Sequence, residues 1–164
     1  MTQTITPLRV EAAPERPAGL TRRDDLMQCA FDVGGVLGEP LSDVDTRRVG
    51  HMRMIVAARL RYLGLDALVE TAGQIVSELV TNAIRHGGNG SVTLSQLVTR
   101  GELRLLVRDS GTGQPKPADP GLDAEGGRGL WIVGLLADEL GGQAGFAPET
   151  RTAWCSLPLP HTCP

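Results

Sequence analysis

Three short motifs in this chain combine residue types and spacings that suit a phosphorylated, amine-bearing ligand. The first is SELVTNAIRH, residues 77–86. Apolar pairs (Ile75/Val76, Leu79/Val80, Ala83/Ile84) alternate there with polar pairs (Ser77/Glu78, Thr81/Asn82, Arg85/His86). At helical pitch this turns one face into a core and the other outward. Glu78 and Asn82 are i and i+4, so they stack on one outer stripe. Alone, such a stripe reads more readily as a solvated face than as a site. The second motif is RDSGTG, residues 108–113, leaving a strand. An acceptor-only carboxylate at a strand end, Asp109, suits an exocyclic amino group such as N6 of adenine. Gly111 and Gly113 permit positive φ and a close backbone approach to a ligand. Alone, a turn with a capping Asp is the simpler reading. The third is GGRGLWIV, residues 126–133, a glycine cluster entering a helix. Free amides and the positive dipole end at a helix start favour phosphate, although a plain hinge before a helix has the same pattern. Neither glycine motif is a P-loop or a Gly-x-Gly-x-x-Gly fingerprint, which sets those nucleotide folds aside.

The elements that must position these residues follow from periodicity and breakers. Ser42 or Asp43 caps a helix to about residue 63, with Val49, Met52, Ile55, Val56, Ala57 and Leu60 at helical spacing and Gly64 as its stop. Asp66 opens a second helix that carries the first motif to His86 and ends at Gly87-Gly88. Residues 91–98 and 102–107 read as a hairpin. Residues 109–126, rich in Gly and Pro, read as a loop. A third helix spans about 127–140, and residues 143–147 and 152–157 form a closing hairpin before Pro158 and Pro160. A short apolar run at 29–33 is an expected edge strand. The order is strand, helix, helix, two strands, loop, helix, two strands. An α+β fold satisfies it, with helices grouped on one face of a mostly antiparallel sheet. Residues 1–24, with Pro7, Pro14, Pro17 and Gly19 and no hydrophobic period, are expected to be a mobile tail. A single domain over 25–158 and a short tail at 159–164 complete the organisation.

Composition excludes several classes. The chain has 164 residues, 41% hydrophobic and 21% charged, which suits one globular domain. Aromatics are only 3% and net charge is -3 with no basic cluster, which argues against direct nucleic-acid binding. Cys29, Cys155 and Cys163 are widely spaced with no CxxC pair, fitting neither a disulfide framework nor a zinc site. No signal peptide and no apolar run long enough to span a bilayer is visible, so no membrane partner and a cytoplasmic location are expected.

Taken together, in this order and context, the three motifs resemble the N, G1 and G2 boxes of the GHKL (Bergerat-fold) ATPases shared by gyrase, histidine kinases and mismatch-repair proteins. The wording SELVTNAIRH and GRGLWIV resembles most closely the anti-sigma factor serine/threonine kinases, specifically the small stand-alone ATP-binding regulators of actinobacteria. The resemblance covers about residues 43–158. It implies a two-layer α/β sandwich with three helices on one face of the sheet, and ATP and Mg2+ as ligands.

Residue by residue, the resemblance implies Glu78 as general base, Asn82 as the Mg2+ ligand and Asp109 as the adenine-reading carboxylate. It implies Gly111 and Gly113 as the glycines beside the nucleotide, and Gly127, Gly129 and the amide of Leu130 as the phosphate-facing helix start. Arg128 adds positive charge there, Thr152 binds adenine through water, and His86 stands near the phosphates or simply offers a cation at the helix end. Residues 110–126 would form a short ATP lid. The implied activity is a protein serine/threonine kinase whose acceptor is a Ser or Thr on an anti-sigma factor antagonist, with a sigma factor as the second partner. Homodimerisation is implied by the resemblance alone. Two other readings stay open: an ATP-dependent binding switch with little catalysis, which would have no need of Glu78, and a detached histidine-kinase catalytic domain. The last fits least, since no helical hairpin with a candidate phosphoacceptor His stands before the domain and the lid is short.

Overall fold

Alternation sets the centre of the sheet. A computed structural model of the chain describes residues 24–34, 39–111 and 128–160. In β3 (Glu102–Asp109) Leu103, Leu105, Val107 and Asp109 are buried, while Arg108 is exposed. Period-two burial of this kind marks a strand with one face on a core. β2 (Gly90–Val98) pairs with it antiparallel, and the turn between them closes through Thr99 N–H donating to Glu102 O at 3.0 Å. The expected edge strand is β1 (Asp25–Val33), longer than its apolar run and antiparallel to β2. β4 (Gln143–Ala147) and β5 (Thr152–Pro158) form the closing hairpin. The five strands make one sheet in the order β1-β2-β3-β5-β4, with every neighbouring pair antiparallel.

Three helices complete the second layer, giving the two-layer α/β arrangement of the GHKL type. α1 (Asp43–Tyr62) starts at Ser42, whose side chain accepts from Asp45 N–H at 3.1 Å, a capping bond worth about 1 kcal/mol. Met52, Val56 and Leu60 are its buried apolar residues. Ile55 shares their helical spacing but is 38% exposed, because the stripe facing the core is only one residue wide here. The second helix does not begin as a regular helix at Asp66. A 3-10 turn, Asp66–Leu68, comes first, and α2 (Val69–Gly87) follows without any side-chain cap at Leu68. Ala72, Ile75, Val76, Leu79, Val80, Ala83 and Ile84 bury one face of α2. Gly88, at φ 63, ends it in a conformation that glycine adopts without strain. α3 (Arg128–Glu139) buries Val133 and Ala137.

Gln96 departs from the pattern. It lies on the core-facing side of β2, opposite Met27 and Leu105, with 0% exposure. Neither its Oε1 nor its Nε2 has a hydrogen-bond partner among the described residues. Cys29 and Cys155 are free thiols, and burial pushes the Cys155 thiol up to about 12. Among the described residues no helix is long and apolar enough to cross a membrane.

Candidate functional site

Two close backbone approaches set the floor of the site. β3 carries its alternation to Asp109, so this carboxylate lies at the core-facing end of a strand, 7% exposed, rather than in a loop. Its neighbour across the gap is the last turn of α2. A Cβ on Gly87 would lie 3.1 Å from Asp109 Cβ, and a Cβ on Gly111 would collide with the Gly87 carbonyl. Glycine at 87 and 111 therefore lets the end of α2 and the exit of β3 meet. The exit is also fixed to β2: Ser110 N–H donates to Ser91 O at 2.9 Å, and Ser91 N–H donates to Ser110 Oγ at 2.8 Å.

The polar stripe of α2 climbs from this floor. Glu78, Asn82 and His86 follow one another at i, i+4 and i+8, all half-buried. The stripe is partly covered because the first turn of α3 closes on it: a Cβ on Gly129 would lie 2.8 Å from Glu78 Oε2. A carboxylate and the amide-rich end of a helix thus face each other. Arg128 is exposed on that turn and Leu130 packs against the core. His86 has its pKa lowered, first by burial and then by the charge of Arg85, with Asp109 pulling the other way.

The last strand brings a residue the motifs did not include. Register pairs Thr152 with Arg108, and directly opposed residues share a face. Thr152 is therefore on the side of the sheet opposite Asp109, and its hydroxyl donates to Thr150 O at 3.2 Å and accepts from Thr150 Oγ1 at 2.9 Å. The residue that faces Asp109 is Arg151. Its Nε donates to Asp109 Oδ1 at 2.6 Å and its Nη2 donates to His86 O at 3.3 Å. Gly111 N–H donates to the same Oδ1 at 3.1 Å.

The structure thus sets Glu78, Asn82 and His86 along the second half of α2, with Gly129 against Glu78 and with Asp109 and Gly111 against Gly87 at its end, and turns the Thr152 side chain away. Gly113 and Gly127 lie outside the described residues, as does the expected lid from residue 112 onward. A separate cleft of about 390 Å3, between the start of α1 and α2, is lined by Ser42, Asp45, Arg48 and Arg85 among others. It holds none of the candidate site residues, so the chemistry points to the glycine-rich end and not to this cleft. Among the described residues no group of three or more His, Cys, Asp or Glu is placed to hold a metal ion.

A two-layer fold whose helix stripe, strand-end carboxylate and helix start converge in this way is the arrangement of an ATPase module. The family model for the histidine kinase-like ATPase domain matches residues 43–150, and the chain belongs to that family. Two curated relatives, each called anti-sigma F factor, come from Geobacillus kaustophilus (strain HTA426) and Geobacillus stearothermophilus. Each is 44% identical to this chain over 69 residues, 38% of the chain and 47% of the relative. The match thus spans about half the length of these relatives. Family membership makes the chain a nucleotide-binding, histidine kinase-like ATPase domain at the level of class.

Proposed function

We propose that this chain is a Mg-ATP-binding anti-sigma regulator that phosphorylates a Ser or Thr on a small antagonist protein. The observation that carries this reading is the meeting of Glu78 with the first turn of α3 above the buried Asp109. Asp109 accepts from the adenine amino group at the closed end, and Gly111 keeps that end narrow. Gly129 and the Leu130 amide face the phosphates at the start of α3, with Arg128 adding charge; Gly113 and Gly127, outside the described residues, are assigned to the nucleotide by the family resemblance alone. Asn82, one turn from Glu78, offers the oxygen donor for Mg2+. That donor set fits, because Mg2+ is generally held by one or two protein groups with phosphate oxygens and water completing the shell. The ion would neutralise charge on the transferring phosphate.

Catalysis then falls mainly to positioning. The acceptor hydroxyl meets Glu78, which takes its proton as the new O–P bond forms and ADP leaves, for an expected gain of about 10²–10⁴-fold. His86, whose pKa burial lowers, is neutral near pH 7 and acts as a hydrogen-bonding group rather than a standing charge. The name shared by the two curated relatives supports the anti-sigma role, with a sigma factor as the second partner and a cytoplasmic setting. Incubation with labelled ATP and a cognate antagonist tests the proposal. Acid-stable label that disappears in Glu78→Gln supports it. Equal labelling by wild type and Glu78→Gln removes Glu78 from the mechanism, and acid-labile label points to a phosphohistidine instead.

A further inference from the structure

The geometry points to Arg151 as a positioning residue for base recognition, one that orients the Asp109 carboxylate toward an exocyclic amine. This rests on the nucleotide reading above. Arg151 and Gly111 both donate to Oδ1, at 2.6 and 3.1 Å, so the donors to this carboxylate among the described residues converge on one oxygen. A carboxylate held in this way leaves its second oxygen without a donor among the described residues. The guanidinium is itself anchored: Nη2 reaches the His86 carbonyl at the end of α2, and Asp109 N–H donates back to Arg151 O at 3.3 Å. Three elements, α2, β3 and the β4–β5 turn, are joined at the one carboxylate that the base must meet.

The backbone gives a second, independent indication. Arg151 has φ 52 and is the one non-glycine residue with positive φ among the described residues. That region disfavours a side chain, and glycine would occupy it freely. The position keeps a large side chain at a backbone cost, and the side chain is spent on Asp109. Held non-glycine residues of this kind concentrate at functional sites. An ionised pair with short charge-assisted bonds also has the stiffness that recognition needs.

A structural staple and a base-positioning residue predict different things. Inosine nucleotides lack the N6 amine and carry an oxygen in its place, so an acceptor aimed at that position loses its donor. Calorimetric titration of wild type, Arg151→Gly and Arg151→Lys with Mg-ADP and Mg-IDP separates the two. The glycine variant removes the side chain and relieves the backbone at the same time, so a thermal melt is expected to show a folded protein. The expected result is that Arg151→Gly loses about tenfold in ADP affinity, the scale of one charge-assisted contact, while IDP changes by less than about twofold. Arg151→Lys, which keeps charge without the planar fork, should recover part of the ADP preference. Equal weakening for both nucleotides, no change, or tighter ADP binding would overturn the inference. If wild type binds neither nucleotide, the nucleotide reading itself falls first and takes this one with it.

Discussion

Gly129 stands so close to Glu78 that a single methyl group on it would reach within 2.8 Å of Oε2. The start of α3 and the middle of α2 are therefore set so close that a side chain at 129 would have to displace the Glu78 carboxylate. The obstructed atom is the tip of a flexible side chain, which can rotate away at little cost.

Gly129→Ala should consequently leave the fold intact and displace the carboxylate. We expect thermal stability within about 0.5–1 kcal/mol of wild type, and phosphate transfer at least about tenfold slower, on the scale of general-base loss. Transfer at the wild-type rate would show that Glu78 need not hold this position.

Gly111→Ala differs in kind. Its Cβ would strike the Gly87 carbonyl, a backbone atom that no rotamer change can move. The expected outcome is a loss of about 1–3 kcal/mol, typical of overpacking, read as a lower denaturant midpoint. A midpoint equal to that of wild type would mean the end of α2 and the exit of β3 are not in contact.

Gln96 offers the opposite sign. A buried amide with no partner among the described residues costs about 1–3 kcal/mol relative to an apolar group of similar shape. Gln96→Met should raise stability by about 1–2 kcal/mol and Tm by about 2–4 °C for each of those kcal/mol. A lower Tm would show that the amide is satisfied in solution.

His86 gives a pH signature. Burial and Arg85 lower its folded pKa below the ordinary 6.5, so below that pH the unfolded chain takes up a proton that the folded chain resists. The unfolded state then binds more protons, and stability falls as pH drops from 6.5 toward the folded pKa. His86→Gln should flatten that part of the Tm profile. A profile as steep as that of wild type would assign the effect to another group.

How much of this the sequence showed depends on the range over which each feature is encoded. The Glu78–Asn82 stripe was legible because helical spacing is local. The element order and the antiparallel sheet were legible from alternation and glycine stops, and even the cap at Ser42 could be named. Asp109 reads both as a strand end and as the head of the loop 109–126, and the alternation Leu103, Leu105, Val107 runs on to it as the strand end. Arg151 was not legible. It meets Asp109 across 42 residues of chain, and which residue of the β4–β5 turn reaches the end of β3 depends on a register that no local pattern encodes. Thr152 is named by the family resemblance alone, and the register sets its side chain on the opposite face from Asp109. Ser110 and Gly87 were missed for a similar reason: their partners lie on other elements.

The account turns on a nucleotide whose base is read by Asp109, and one comparison tests that most directly: calorimetric titration of Mg-ADP into wild type and into Asp109→Asn. Saturable single-site binding by wild type, weakened about tenfold or more in Asp109→Asn, is the predicted result. No binding by wild type, or equal affinity in the two proteins, would contradict it.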